Sequence, residues 1–383
     1  MRKAASRLHE GLFDESVVVS IAKDLHAELE TTASCAFVFV TADYLPHLAD
    51  FTELLRVHGH VMDVVGCTAA GIMGGENKGE ESGSGFSILA LAFDDSQVCF
   101  VELSQSVMEQ SSPAHWQDKV PADGIQGWIA LLNPMAIDAE KWVSQWDVAF
   151  PSVPCVGGLA SSSSNEETIV VFHNDKLMQG IAVGFTGAIR ITPILSQGCR
   201  PIGDPLPVTR AEANVIFSLG SRPAYEALES AFNSLEDSEK AEAKGNLLAG
   251  LASTEYVEEF KSSDFIVRNI LGADPKSGAV AIGGIPRLGQ TLQYQFRSRD
   301  AAEAELRQTF QEANLPQKPL ASLLFSCNGR GIHFFGKPHY DAKILTEVFG
   351  NHAFAGFLCN GEIGRSGGKN GIHGYTASVA FFL

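Results

Sequence analysis

The hydrophobic and polar positions of the chain follow an order that occurs three times. Each copy contains an apolar run typical of a buried strand, a stretch with helical spacing, and a second apolar run that leads into glycine. The opening runs lie at residues 37–40, 128–132 and 323–327, and the glycine-containing segments that close the copies lie at 65–71, 153–160 and 354–362. Strand, helix and strand in this order predict a βαβ unit. Such units gather ligands where the chain leaves a strand.

A further strand is predicted after each closing segment, so the fold class is α/β, with repeated βαβ-type units and mixed sheets. We expect two halves that share a central pocket. Residues 1–30 are predicted to be a helical lead-in, because apolar side chains between residues 17 and 25 have helical spacing. The sequence pattern changes near residue 220, which suggests an N-terminal domain over 31–220 and a C-terminal domain over 221–383.

Length and charge narrow the class of protein. A chain of 383 residues with 45% hydrophobic and 19% charged residues is typical of a soluble globular protein of two or three domains. Its net charge of −17 argues against general binding to nucleic acid. Neither a secretory signal nor an apolar run of about 20 residues is visible, so we expect a cytoplasmic protein without a membrane segment. Its seven cysteines form no CxxC pair, which argues against a zinc or thioredoxin-type site.

Two charged residues in the third copy are the first candidates for ligand binding. Arg330 and Glu362 each follow a predicted strand end, in the segments NGRG and NGEIG. A guanidinium suits a carboxylate and a carboxylate suits an ammonium, so the pair matches the two ends of a free amino acid. The alternative is that these side chains pair with each other or cap turns. Asn328 and Asn360 are candidates for ligand contact or for turns with left-handed backbone.

Backbone groups and one further arginine complete the predicted site. Gly66, Gly157, Gly158 and Gly356 would let backbone amides approach an anionic ligand. No Walker sequence and no GxGxxG leading into a helix accompanies them, which argues against a nucleotide site. Arg268, on a predicted strand, is either a further ligand contact or a solvent-facing side chain.

Several segments together resemble the FIST family, the domain of F-box and intracellular signal transduction proteins. The strongest are 325–331 (FSCNGRG) and 356–364 (GFLCNGEIG), which resemble the C-terminal half of that family. Residues 65–71, 155–161 and 196–203 look like its N-terminal half, and 222–224 and 265–268 also fit. The resemblance covers nearly the whole chain after about residue 30.

The resemblance implies a sensory module that binds a small ligand, with amino acids proposed, and that is not a catalyst. Such a sensor would signal through a separate protein, for example a histidine kinase or a cyclic-nucleotide enzyme. One branch of the family implies an alternative, a haem-containing nitric-oxide sensor; the histidines nearest the repeats are His173, His333, His352 and His373. Otherwise no cofactor and no metal is expected. A less favoured third class is an enzyme that depends on a cysteine, since Cys67, Cys155, Cys327 and Cys359 recur near the glycines.

Overall fold

Each of the three predicted repeats forms a βαβ unit with two parallel strands in the computed structural model. The structure describes residues 2–75, 78–80, 83–120, 124–313 and 315–383. The first unit contains the strands Arg2–Glu10 (β1), Cys35–Val40 (β2), Val64–Thr68 (β3), Ile72–Gly74 (β4), Lys78–Glu80 (β5) and Gly85–Phe93 (β6), and the helices Glu15–Leu29 (α1) and Leu48–Gly59 (α2). The second contains the strands Ser96–Leu103 (β7), Gly127–Leu132 (β8), Cys155–Leu159 (β9), Val171–His173 (β10), Lys176–Met178 (β11) and Gly180–Gly187 (β12), and the helices Gln105–Gln110 (α3), Pro113–Gln117 (α4) and Ala139–Ala149 (α5).

A separate sheet is inserted into the third unit after its first strand, Ile191–Ser196 (β13). The inserted strands are Arg200–Glu212 (β14), Val215–Leu219 (β15), Arg222–Pro223 (β16), Leu247–Ala252 (β17), Phe265–Asp274 (β18), Ala279–Ile282 (β19) and Thr291–Phe296 (β20), with the helices Ala224–Asn233 (α6) and Asp237–Ala243 (α7). The third unit then continues with the strands Ala321–Cys327 (β21), Ala353–Cys359 (β22), Glu362–Ser366 (β23), Lys369–His373 (β24) and Ala377–Phe382 (β25), and the helices Arg299–Glu312 (α8), Ile332–Phe335 (α9) and Tyr340–Phe349 (α10). Four short 3-10 helices, Ala42–His47, Glu166–Thr168, Ser262–Asp264 and Asn328–Arg330, lie between these elements.

The three units exchange hairpins in a cycle. The first sheet has the order β1-β6-β2-β3-β10-β11, so its last two strands come from the second unit. The second sheet, β7-β12-β8-β9-β23-β24, ends in a hairpin of the third unit, and the third sheet, β13-β25-β21-β22-β4-β5, ends in a hairpin of the first. In each sheet the two βαβ strands are parallel and the remaining pairings are antiparallel. The predicted α/β class with repeated units and mixed sheets is therefore confirmed.

One hydrophobic core joins the three sheets. Phe39 of the first sheet packs against Phe325 and Phe357 of the third, with ring centroids 6.1 and 4.6 Å away. Phe185 of the second sheet contacts Phe37 of the first and Phe382 of the third. Strands buried on both faces are apolar at successive positions, which explains the continuous runs in the sequence. The outer face of each sheet is covered by helices of its own unit.

The inserted strands form a closed barrel. The order β14-β20-β17-β18-β19-β15 returns to its start because the long strand β14 pairs with β20 in its first part and with β15 in its second. Apolar side chains of α6 join those of the barrel strands in one core. We refer to β14–β20 with α6 and α7 as the barrel.

The predicted helical lead-in is helical only in its second half. Residues 15–29 form α1, and Asp14 begins this helix by accepting hydrogen bonds from the amides of Ser16 and Val17. Arg2–Glu10 instead forms β1, which pairs with β6 along its whole length. A partner strand more than 70 residues away decides this conformation, so local spacing could not predict it. Among the described residues no helix combines the length and the apolar character needed to cross a membrane.

Candidate functional site

A cleft of about 390 Å³ lies between the barrel and the third unit, where β21 ends. We call it the ligand cleft. The barrel and the start of α8 contribute two arginines, an asparagine and a glutamate, and the segment after β21 contributes the opposite wall. Its lining residues are Glu242, Asn246, Arg297, Arg299, Asn328, Gly329, His333 and Phe334.

Arg297 is held between two aromatic rings at one side of this cleft. Its guanidinium carbon lies 3.8 Å from the ring centroid of Phe334 and 4.6 Å from that of Tyr375. Its Nη2 donates a hydrogen bond to the carbonyl of Gly329. Tyr375 has a left-handed backbone, with φ at 64°, which aromatic residues rarely adopt. Burial lowers the pKa of Arg297, yet a guanidinium stays charged at neutral pH, so the cleft keeps a preorganised cation.

Arg330 does not line the cleft but lies buried behind it. Its Nε and Nη2 each donate to a different carboxylate oxygen of Asp341 at 2.9 Å, and Nη1 donates to the carbonyl of Tyr375 at 3.3 Å. The side chains of Arg330 and Asp341 are only 1% and 3% exposed. Burial alone would lower the pKa of Arg330, but the charge and hydrogen bonds of Asp341 outweigh it and raise the pKa. Arg330 is therefore part of a buried ion pair, and its partner is not Glu362.

Glu362 is fully buried at the start of β23. Its Oε2 accepts hydrogen bonds from the amide and the hydroxyl of Thr376, at 3.1 and 2.7 Å, and its Oε1 accepts one from the thiol of Cys359 at 3.1 Å. Burial raises the pKa of this carboxyl to about 7, although the hydrogen bonds from Thr376 oppose the shift. Its contacts are internal to the fold.

The two predicted asparagines lie together, and one of them reaches the ligand cleft. Asn328 Nδ2 donates to Asn360 Oδ1 at 2.7 Å, and Asn360 Nδ2 donates to the carbonyl of Ala160 at 3.1 Å. Asn328 lines the cleft, and both side chains are exposed. Arg268 lies elsewhere, on β18 beside a second cleft, and its Nη2 donates to Glu140 at 2.5 Å.

The four glycines predicted to let backbone amides approach a ligand lie inside the strands β3, β9 and β22. Gly66, Gly157 and Gly356 occupy matching positions in β3, β9 and β22. A Cβ at these positions would come within 2.0, 1.9 and 2.3 Å of a carbonyl oxygen on the parallel neighbour strand. At Gly158 it would meet Cys359, Phe357 and Phe325 in the central core. Close packing against neighbouring strands and core side chains therefore explains why glycine occupies these positions.

The four candidate haem histidines either make contacts within the fold or lie in a polar cleft. His173 lies 2.8 Å from Asp63, His352 contacts Ser322 and Gly350, and His373 is buried against Gly364, with burial lowering its pKa to about 4. His333 lines the ligand cleft, but this cleft carries two arginines and a glutamate, whereas haem needs an apolar pocket. The residues therefore do not fit haem. The described part of the chain also contains no group of three His, Cys, Asp or Glu side chains that could hold a metal.

The cysteines are not poised for nucleophilic chemistry. All seven are free thiols, and five of them are buried. Burial raises the pKa of Cys199 and of Cys327, both near the ligand cleft, to about 12. Since the thiolate is the nucleophile, a raised pKa disfavours catalysis.

Sequence reasoning missed the cationic wall of the cleft. Arg297 and Arg299 flank Ser298, which begins α8 by accepting a hydrogen bond from the amide of Ala301. Two arginines at the junction of a strand and a helix are visible in the sequence and could have been named as candidate ligand-binding residues. Phe334 and Asn246 gave no comparable signal, because the elements that carry them meet only in the folded chain.

Three βαβ units with exchanged hairpins and an inserted barrel, with a polar cleft between the barrel and the third unit, define a class of mixed α/β protein. Family models place the chain within this class: the FIST N domain matches residues 34–222 and the FIST C domain matches residues 224–365. The chain belongs to the FIST family. FIST domains are associated with sensory signal transduction rather than with catalysis.

Proteins similar to this chain occur in mycobacteria and in a plant. An uncharacterized protein of Mycobacterium bovis is 32% identical over 325 residues, which cover 84% of this chain and 83% of that protein. A second, from Mycobacterium tuberculosis, is 35% identical over 259 residues and 67% of each chain. An F-box/LRR-repeat protein of Arabidopsis thaliana is 33% identical over 110 residues, 27% of this chain and 21% of its own length. Among solved structures, a cyanuric acid hydrolase from A. caulinodans aligns over 100% of this chain and 99% of its own, with a TM-score of 0.35 and 10% identity.

Proposed function

We propose that the protein is a sensor that binds a small polar ligand, an amino acid or a similar small acid, in the ligand cleft. The supporting observation is the wall formed by Arg297 and Arg299 in a chain whose net charge is −17. Two guanidinium groups suit a carboxylate, and Glu242 on the same cleft suits an ammonium. Asn246 and Asn328 add groups that can both donate and accept hydrogen bonds.

In this proposal Arg330 and Glu362 support the site from behind. Arg330 holds the segment that carries Asn328 and Gly329, because its ion pair with Asp341 ties the end of β21 to α10. Glu362 ties the start of β23 to Thr376, next to Tyr375. Both then shape the cleft without touching the ligand.

The cleft lies between two parts of the molecule, which suits a sensor. Glu242, Asn246 and Arg297 belong to the barrel side, and Asn328, His333 and Phe334 belong to the third unit. A ligand bound to both sides would favour one arrangement of the barrel relative to the sheets. The signal would pass to a separate cytoplasmic signalling protein, such as a histidine kinase or a cyclic-nucleotide enzyme.

Calorimetric titration with the proteinogenic amino acids and small dicarboxylates tests the proposal. We expect at least one of them to bind, and we expect Arg299→Gln to weaken its binding by roughly 10- to 150-fold, which corresponds to the loss of a charge-assisted hydrogen bond of about 1.5–3 kcal/mol. Arg307→Gln is the matched control, since Arg307 lies on the same helix and pairs with Glu303 and Glu347 outside the cleft. The proposal fails if no compound binds, or if both variants bind like the wild type.

A further inference from the structure

A second cleft, of about 430 Å³, lies between the barrel and the second unit. We call it the barrel cleft. Leu251 and Ile266, which face each other on β17 and β18, contribute apolar surface to it. Arg268 and Arg287 contribute positive charge, and Glu140 reaches it from α5. The barrel cleft therefore combines an apolar lining with cationic groups.

The two arginines of this cleft differ in how they are bonded. Arg268 is 15% exposed and donates to Glu140 at 2.5 Å and to the carbonyls of Val267 and Ile372 at 3.2 Å. Arg287 is exposed, and within the described residues no hydrogen bond or ion pair uses its side chain. One cation thus remains available in a strongly acidic chain, and an acidic group is its complement.

The rim of the barrel cleft carries apolar side chains that face water. Ile285 and Leu288, in the loop between β19 and β20, are 77% and 70% exposed, and they flank Arg287. The same loop packs on the cleft wall, since a Cβ at Gly284 would lie 3.1 Å from Arg268. A small solute within the cleft would leave these rim side chains in water, whereas a polypeptide laid across it would cover them.

We propose that the barrel cleft is a docking surface for an extended segment of a partner protein in which apolar and acidic side chains alternate. Successive side chains of an extended segment point to opposite sides, so a segment that enters the cleft edge-on turns its acidic side and its apolar side toward different parts of the cleft. The acidic groups would meet Arg287, and the apolar groups would meet Ile285, Leu288 and the lining.

One strand connects this surface to the ligand cleft. Asn269 follows Arg268 on β18 and points the opposite way, where its Oδ1 accepts a hydrogen bond from the hydroxyl of Tyr375. The ring of Tyr375 stacks on Arg297 of the ligand cleft. The use of the barrel cleft in signalling rests on the proposed function, but the docking itself does not.

Fluorescence anisotropy with labelled peptides of about eight residues tests the docking. The probe alternates Glu and Leu, and its control alternates Lys and Leu. We expect the acidic probe to bind saturably and the basic one not to bind. Arg287→Glu should weaken the acidic probe at least tenfold, and so should the double variant Ile285→Ser with Leu288→Ser. Arg210→Glu, on an exposed barrel arginine outside the cleft, should leave binding unchanged.

Three outcomes would overturn the docking proposal. The first is no saturable binding of the acidic probe to the wild type, and the second is equal binding of the basic probe. The third is that Arg287→Glu loses binding of the acidic probe while the double variant Ile285→Ser with Leu288→Ser keeps it. That result would indicate a site for a small anion rather than for a peptide. Amino-acid titration of Arg287→Glu separates the two proposals: unchanged ligand binding with lost peptide binding leaves the proposed function intact.

Discussion

Removing the carboxylate of Asp341 is expected to destabilise the protein strongly. Asp341 accepts two hydrogen bonds from Arg330 and one, at 2.5 Å, from the hydroxyl of Ser326. In Asp341→Ala the guanidinium of Arg330 stays buried and keeps one carbonyl acceptor, that of Tyr375. Breaking a buried ion pair on one side costs about 3–5 kcal/mol, because a charge is left without compensation.

Urea unfolding measures this loss directly, and thermal unfolding provides a second reading. Unfolding entropy scales to about 0.8 kcal/mol/K for a cooperative unit of this length, so the melting temperature should fall by about 4–6 °C. Replacing both partners, as Arg330→Met with Asp341→Leu, should recover much of the loss, since neither partner of the pair is then left as a buried charge without the other.

Glu347→Ala is the matched control on the same helix. Glu347 contacts Arg307 at 2.8 Å and Lys343 at 3.7 Å, but all three side chains are at least a third exposed. Solvent screens such pairs, and its loss should cost about 0–1 kcal/mol. If Asp341→Ala costs no more than Glu347→Ala, or if the double replacement is as unstable as the single one, the pair does not carry the stability assigned to it.

Three further predictions concern burial. Burial raises the pKa of folded Glu362 to about 7. Between about pH 5 and about pH 7 the folded state therefore keeps a proton on Glu362 that the unfolded state has released. The free energy of unfolding should then fall as the pH rises across this range. Urea titrations across that window should show a flatter pH dependence for Glu362→Gln, and equal slopes would contradict the assignment. Gly157→Ala should abolish soluble folded protein by circular dichroism, because its Cβ would lie 1.9 Å from a carbonyl oxygen, whereas Gly272→Ala meets open space and should fold. Iodoacetamide at neutral pH should label all seven cysteines slowly, because burial raises the pKa of every thiol. Intact mass spectrometry measures the labelling. If one cysteine is modified far ahead of the others, the result favours an enzyme that depends on that cysteine.

The repeated units were predictable because their strands are buried on both faces and their spacing to the helices is regular. The runs at 37–40, 128–132 and 323–327 fall in β2, β8 and β21. The closed barrel was not predictable, since its closure depends on a bulged pairing of β14 with two neighbours. Local sequence does not specify which strands will pair with each other.

Some features of the candidate site could likewise be predicted from local sequence, whereas others depend on residues that are distant in the chain. That Arg330 and Asn328 follow a strand end could be inferred from the segment after β21. That Arg330 is buried could not, because its partner Asp341 lies on a helix with no local signal of a buried carboxylate. Burial of a charge depends on a partner, and partners meet only in the folded chain.

The exchange of hairpins gives Asn360 a position that the sequence could not show. The chain leaves the third sheet at Cys359, the end of β22, and enters the second sheet at Glu362, the start of β23. Asn360 lies at this crossing and bonds to Ala160 of the second unit and to Asn328 of the ligand cleft. Arg297 links the same cleft to the barrel through Gly329. A ligand that contacts Asn328 and Arg297 would therefore touch a point where the second unit, the third unit and the barrel meet, and it would need to move only short segments to affect all three.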